Sequence, residues 1–379
     1  MITAGPVTPT RSAAVLRGEA GGVPVLFNPQ DRRLHVLNET AAAVWDSLDR
    51  HTTFGQLADD LAIAFGTSAS VIRADLERMV DRFVADGLMG DGRAVDEPAP
   101  RTARPGGPTA VRVDALGSVI DVVIEPGPVA AAVADMLAPL RSGRAADAWI
   151  HAGPDATGMW RVTTSAGGDQ RVGTEMGTAL RVIGEVNHVA VAGAADHLVM
   201  HAGAVARDGR AVVLPGSSNR GKSTLTTALV RDGFGYLTDE AAAIDATGTC
   251  RPFAKAIALD PGSFSLFPDL EPAGSGEGLE TQIRRREWHV APDRVGPIAA
   301  AAPVGAIVCP HWRAGATTRV AQLSPTEALH SLLSDTFDFA AGGQPVFEIL
   351  TDLVSRVPVY RLGYGRLDEA VRAVDELLG

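Results

Sequence analysis

The sequence predicts an α/β chain, α+β taken overall, with a small winged-helix-like module ahead of a larger domain built on a mostly antiparallel or mixed sheet. Three observations carry the class and the division; the winged-helix likeness and the sheet type are what family resemblances imply. Residues 1–90 hold a two-strand pattern followed by three helical periodicities. Residues 91–108 interrupt it with Pro98, Pro100, Pro105, Pro108 and paired glycines, a linker composition. From residue 109 onward, strands and glycine turns alternate with helices, and one strand runs directly into a glycine-rich loop and a helix. A length of 379 residues suits such a division.

Within the first module, Val23 to Phe27 and Leu34 to Leu37 read as strands around an Asn28-Pro29-Gln30-Asp31 turn. Asn38 is placed to cap a helix carrying Ala42, Val44, Trp45 and Leu48. A second helix spans Thr53 to Phe65, with Phe54, Leu57, Leu61 and Phe65 on its apolar stripe. Ser70 is expected to cap a third, where Leu76, Met79, Val80, Phe83 and Val84 recur at helical spacing until Asp86-Gly87 ends it. Past the linker, Ala110 to Ile124 suggests two strands and Val129 to Leu140 a helix. Strands near Ala148 to His151 and Met159 to Thr164 precede a helix from Gly173 to Val191. Later helices are expected at Ser324 to Leu333 and Leu367 to Leu378, and Pro268 to Gly278 reads as a mobile loop. The domain reading is 1–90, the 91–108 linker, and 109–379, the last divided into 109–195 and a core at 196–379. The first module and the core are expected to share no apolar interior.

Composition excludes several classes. An apolar share of 46% against 21% charged excludes a disordered or fibrous chain. A net charge of −11 argues against a general hold on nucleic acid or anionic lipid, both of which need a basic surface. No apolar run approaches the ~18 residues of a membrane span, and the first residues lack a secretory signal. Cys250 and Cys309 cannot build a disulfide framework, so the chain reads as cytoplasmic, without nucleic-acid or membrane partners.

The chemistry concentrates after Ala211-Val212-Val213-Leu214. Gly216-Ser217-Ser218-Asn219-Arg220-Gly221-Lys222-Ser223 follows this strand, and Thr224, Leu225, Ala228 and Leu229 open a helix. This is a G-x-x-x-x-G-K-[ST] phosphate loop in its strand–loop–helix setting. Its glycines let successive N–H groups curl toward phosphate oxygens, the helix N-terminus adds partial positive charge, and Lys222 adds a full one. The Ser223 hydroxyl suits Mg²⁺. Lysine occurs only at Lys222 and Lys255 among 34 basic residues, so the lysine in this slot is a selective retention. Tyr236-Leu237-Thr238-Asp239-Glu240 then returns two carboxylates at a strand end soon after the loop's own helix. One of them can reach Mg²⁺ or accept a hydroxyl proton.

His201-Ala202-Gly203, Leu214-Pro215-Gly216 through Lys222-Ser223-Thr224-Leu225, and Leu237-Thr238-Asp239-Glu240 together resemble the HPr serine kinase family, especially the HPr-kinase-like proteins found beside peptide natural-product genes. The resemblance spans roughly Ala110 to the C-terminus and implies a phosphoenolpyruvate-carboxykinase-related P-loop fold. It implies ATP and Mg²⁺, a site-facing histidine at His201, and a base and metal ligand at Asp239 and Glu240. Two departures stand out. Glu240 replaces the usual second Asp, and Ser218-Asn219-Arg220 stands where a small residue and glycine are usual. The family's glycine-rich signature for HPr is absent, which weakens HPr as a substrate, and the family's hexamers point to a homo-oligomer.

Lys255 is a candidate for the transferred phosphate or the substrate, against a chance surface lysine. Arg284-Arg285-Arg286 could close over polyphosphate or an acidic peptide, although a solvated basic turn is the better reading. Cys309-Pro310-His311 and Cys250 lack zinc spacing. Trp288 and Trp312 read as packing residues.

Pro24 to Leu88 resembles the PqqD family of leader-peptide-binding domains. The matching features are the hairpin, Leu37-Asn38-Glu39-Thr40-Ala41 into Val44-Trp45, Phe54-Gly55-Gln56-Leu57, and Phe83-Val84-Ala85-Asp86-Gly87-Leu88. The resemblance implies an extended leader added to a sheet edge beside the third helix. Val25, Phe27, Leu34 and Val36 would line the groove from the strands, and Arg73, Asp75, Glu77 and Arg78 from the helix. A DNA-binding winged helix is the competing reading, and the mixed charge of the helix disfavours it.

The combined expectation is an ATP-dependent kinase phosphorylating a Ser or Thr hydroxyl of a ribosomally made precursor peptide. Lys222 and the loop amides hold phosphate, Ser223 and Asp239 hold Mg²⁺, Asp239 or Glu240 takes the proton, and His201 orients that acid. The alternatives are a nucleotide-binding scaffold that delivers a leader peptide, and an HPr-type or small-molecule kinase. The motif leaves ATP, GTP and pyrophosphate open as donor.

Overall fold

The computed structural model describes residues 10–48, 54–65, 68–89, 103–216, 221–272, 278–337 and 339–378. The mobile-loop expectation falls partly outside them; its first residues, Pro268–Leu270, form a 3₁₀ turn.

The N-terminal sheet starts one strand earlier than the sequence suggests. Leu16–Ala20 pairs antiparallel with Val23–Asn28, which pairs antiparallel with Arg33–Val36. The first strand reads Leu-Arg-Gly-Glu-Ala, too short and too mixed to show alternation. Helices Glu39–Ser47, Phe54–Phe65 and Ala69–Ala85 follow. Asn38 caps the first, its Oδ1 accepting from the Ala41 N–H at 2.8 Å. The third starts at Ser68 rather than at the expected Ser70. Leu26 faces these helices and packs among Trp45, Leu57, Leu76, Val80 and Phe83.

The opposite face of that sheet is also covered. Leu16, Ala20, Val25 and Phe27 join one apolar core with Phe339, Phe347 and Leu350. Phe27 meets Phe339 edge-on at 5.2 Å and stacks on Phe347 at 5.8 Å. The helix Phe339–Arg356 that supplies these rings has no obvious sequence signal, because Gly342-Gly343-Gln344-Pro345 reads as a loop; Gly343 kinks it with a φ of 52°. The expectation of two modules without a common interior is therefore corrected. Gln344 also closes the outer edge of the first strand: its Oε1 accepts from the Arg17 N–H at 2.9 Å, and its Nε2 donates to the Arg17 carbonyl at 2.6 Å. Arg33–Val36 pairs only with Val23–Asn28 among the described residues and leaves its other edge open.

Past residue 103, Thr109–Ala115, Ser118–Ile124, Ala148–Pro154, Trp160–Thr164 and Asp169–Val172 form a five-stranded sheet in chain order. Its second and third strands are parallel and the other pairs antiparallel. Helices Pro128–Met136 and Glu175–Gly193 pack on it through Val133, Met136, Val182 and Val186. Val199, Ala241, Ala243 and Phe253 join the same core, which ties this layer to the next sheet.

That second sheet is mixed. Leu198–Arg207 pairs on one side with Arg210–Pro215 and on the other with Gly235–Thr238 and Ala241–Ile244. Ala302–Trp312 pairs with both Thr249–Arg251 and Arg210–Pro215, so the sheet curls back on itself, and it continues into Val359–Tyr364 and Arg319–Gln322. Helices Lys222–Arg231 and Leu367–Leu378 cover one face through Leu225, Leu229, Val374 and Leu378. The chain is thus α/β, with mixed and antiparallel sheets. Among the described residues no helix is long and apolar enough to cross a membrane.

Candidate active site at the glycine loop

Strand ends and one helix start converge here. Arg210–Pro215 delivers Gly216, whose N–H donates to the His201 carbonyl at 3.3 Å. Gly221 caps the helix Lys222–Arg231 in the left-handed region, at φ 82°. A Cβ at Gly221 would stand 2.7 Å from the Tyr364 hydroxyl, so backbone conformation and space both require glycine. Gly221 has no side chain to cap the first turn of this helix, whose N–H groups suit an anion. Ser217, Ser218, Asn219 and Arg220 lie outside the described residues.

Lys222 is buried. Its Nζ lies 3.0 Å from His201 Nε2, and among the described residues it forms no ion pair with a carboxylate. Burial lowers its pKa from the ordinary lysine value. Burial, and then the Lys222 ammonium, also hold His201 below the usual histidine value, so the ring favours its neutral form. His201 Nδ1 sits 3.1 Å from the Glu240 carbonyl, and its ring meets Phe337 edge-on at 6.0 Å. A neutral ring can donate to that carbonyl from Nδ1 and accept from the ammonium at Nε2.

The carboxylates take different positions. Asp239 is buried; its Oδ2 accepts from the Ala258 N–H at 2.9 Å and from the Ser223 hydroxyl at 3.4 Å. Its Oδ1 accepts from Tyr236 Oη at 3.0 Å. Burial, reinforced by Asp239, pushes the Tyr236 phenol well above its ordinary pKa, so it stays a donor. Glu240 is partly exposed. Lys255, itself buried, stands 3.6 Å from Asp239 Oδ1 and 3.4 Å from Glu240 Oε2. Burial works against the Lys255 charge, yet Asp239, Glu240 and Glu287 together hold its pKa above the ordinary value.

Glu240 borders two cavities. One, of about 370 Å³, is lined by Asn187, Lys255, Arg286 and Glu287; the other, of about 670 Å³, by Arg181, Asn187, His188 and Phe337. Both lie against the helix Glu175–Gly193, so the cleft runs between the five-stranded layer and the loop-bearing core. Among the described residues no three His, Cys, Asp or Glu side chains gather as a metal cage. Ser223 and Asp239 are two adjacent hard oxygen donors, which fits a Mg²⁺ that takes its remaining ligands from phosphate and water.

The structure therefore brings His201, Lys222, Ser223, Asp239, Glu240 and Lys255 together. Other expected residues fall elsewhere. The Thr224 hydroxyl is engaged by Ser263 Oγ at 2.7 Å, away from Asp239's Ser223 side. Arg284 bonds the Pro272 carbonyl and Thr281, while Arg286 reaches the Glu240 cleft. Trp288 is a packing residue, stacked on Phe264 at 3.9 Å, but Trp312 is 53% exposed and its Cβ lies beside the Gly221 Cβ position. The packing expectation for Trp312 is thus corrected. Tyr236, Asn187 and Tyr364 escape sequence reading, since only tertiary pairing places them at the site.

On the N-terminal sheet, the groove expectation is corrected for Val25 and Phe27, whose side chains are buried in the core common to both modules. Leu34 packs against the same core. Val36 is 54% exposed on the open edge strand. Arg73, Asp75, Glu77 and Arg78 lie exposed on the third helix, with Asp75 and Arg78 paired to each other. His35 of the edge strand lies 3.8 Å from Asp86 at that helix's end, which places edge and helix side by side.

Comparison with known proteins bears on this module alone. No curated protein matches the chain. Residues 25–89 match the family described as Coenzyme PQQ synthesis protein D (PqqD), so the chain carries an N-terminal PqqD-like domain.

Proposed function

We propose that the chain is a Mg²⁺- and ATP-dependent kinase that phosphorylates a Ser or Thr hydroxyl of a ribosomally made precursor peptide held by its PqqD-like domain. The observation that supports this is the convergence of a helix N-terminus behind Gly221, a buried Lys222 ammonium in contact with no carboxylate among the described residues, and the Ser223–Asp239 oxygen pair beside an open cleft.

Lys222 and the loop and helix N–H groups hold the β- and γ-phosphates. Ser223 and Asp239 would hold Mg²⁺, which supplies charge neutralisation at those phosphates. Asp239 is held inside by Tyr236, Ala258 and Ser223, whereas the partly exposed Glu240 borders the cleft, so Glu240 takes the acceptor hydroxyl's proton. His201 fixes the Glu240 main chain and keeps Lys222 in place. The exposed Trp312 face offers a stacking surface for the nucleotide base. The peptide's leader adds to the open edge at Arg33–Val36, the one edge of that sheet that Gln344 does not close.

The test is phosphoryl transfer from γ-labelled ATP to a precursor peptide encoded near this chain's gene. Transfer should need the leader at low peptide concentration, through apparent KM rather than kcat. Leader-independent transfer would remove the PqqD-like domain from the reaction, and ATP binding without transfer would favour a scaffold.

A further inference from the structure

The two cavities beside Glu240 meet on a strip of three residues. Gly184, Asn187 and Glu240 line both the cavity of about 370 Å³ and the one of about 670 Å³. Gly184 and Asn187 stand three residues apart on the helix Glu175–Gly193, hence on one face of it. Glycine is the poorest helix former after proline, so one inside a helix calls for a reason. The helix's other two glycines have theirs in packing. A Cβ at Gly177 would stand 2.9 Å from Val172 Cγ1, and one at Gly193 would collide with the Ser118 hydroxyl. At Gly184 a Cβ would meet nothing within 4 Å. Among the described residues no neighbour demands this glycine, and the bare backbone it leaves is exposed along the cleft.

Asn187 is half-buried, and its carboxamide makes no hydrogen bond among the described residues. Neither of its polar atoms is shut away, so both stay within reach of a molecule in the cleft. A carboxamide offers a donor and an acceptor side by side, the pair that a peptide main chain repeats, and it has no charge state to settle.

We infer that this strip is the groove for the acceptor, an extended polypeptide. Its main chain crosses the helix over Gly184 and is hydrogen-bonded by the Asn187 carboxamide, and its flanking residues lie in the two cavities. That its Ser or Thr hydroxyl then meets Glu240 rests on the kinase reading. A main chain approaches a helix most closely where no Cβ intervenes. A small acceptor, such as a free amino acid, would occupy one cavity and leave the other to water. A chain with residues on both sides of its hydroxyl fills both.

The probes are acetyl-Ala-Ala-Ser-Ala-Ala-amide and N-acetyl-L-serinamide, titrated into the full chain carrying ¹⁵N-asparagine and followed by NMR. The pentapeptide should shift the Asn187 side-chain signals saturably and bind about ten-fold more tightly than the serinamide. Asn187→Ala should weaken pentapeptide binding about five-fold, the worth of one hydrogen bond. Gly184→Leu puts a better helix former where the fold has room, so the urea midpoint should rise while pentapeptide binding is lost. A glycine that served the fold alone would not separate the two readouts. An Asn187 signal unmoved by the pentapeptide, or equal affinities for the two probes, would overturn the groove, and neither result depends on a variant folding. Undiminished pentapeptide binding by folded Gly184→Leu would overturn it too. Phosphoryl transfer to the precursor peptide is read separately. A pentapeptide-induced shift of Asn187 in a chain that transfers no phosphoryl group upholds the groove and overturns the kinase reading; transfer with a silent Asn187 overturns the groove alone.

Discussion

The chain keeps two lysines, and their surroundings differ. Lys222 sits at a helix N-terminus beside a neutral histidine, with no carboxylate paired to it among the described residues. Lys255 sits between Asp239 and Glu240, and its charge is matched within the fold. Both are buried. Burying a charge with no counter-ion in contact is costly, and an anion at the helix N-terminus would offset that cost. On the proposed reading, the phosphate-binding role falls to Lys222. Lys255, which the sequence also offered for phosphate, neutralises the two acids and holds them within reach of the loop.

The largest expected effect breaks the carboxylate side. Asp239→Asn removes a metal charge at nearly constant shape and should slow phosphoryl transfer by at least ~100-fold; Glu240→Gln should match it if Glu240 takes the proton. Single-turnover rates at saturating ATP check both, and near-normal rates in both variants would remove the mechanism. Lys255→Met should act on stability first. It strands two partly or fully buried carboxylates and should cost about 3 kcal/mol or more, read by urea denaturation. An unchanged midpoint would mean that the pair is solvent-screened.

Smaller effects test the link between the modules. Val36→Asp puts charge on the open edge and should weaken leader binding about ten-fold while sparing ATP binding, as fluorescence anisotropy would show. Gln344→Ala removes two hydrogen bonds to the Arg17 backbone and should destabilise the docked sheet by about 1–2 kcal/mol, with locally faster amide exchange at Arg17. The smallest concerns pH. His201 has a folded pKa below its unfolded value, so the unfolded chain binds the extra proton as pH falls below about 6.5. Stability should therefore fall on acidification through that window, and by less in His201→Gln.

The site was more legible than the scaffold around it. Gly216 to Ser223 is local, and its strand–loop–helix setting is visible in eight consecutive residues and their flanks. Asp239 and Glu240 stand out as a pair at a strand end. Tyr236 and the Ala258 N–H, which orient Asp239, reach it only through the fold. The alternation of Val25 and Phe27 showed that they share a face, but not that Phe339 and Phe347 cover it. The helix that carries those rings hides behind Gly342-Gly343-Gln344-Pro345, where local preference argues for a loop and tertiary packing prevails.

The most direct test is Mg²⁺·ATP binding by calorimetry, on the unmutated chain and on Lys222→Ala, with circular dichroism confirming that both are folded. The account predicts a saturable heat in the first and none in the second, because the alanine leaves the helix intact and removes the cation that faces the phosphates. Equal ATP affinity in the two folded proteins would contradict it.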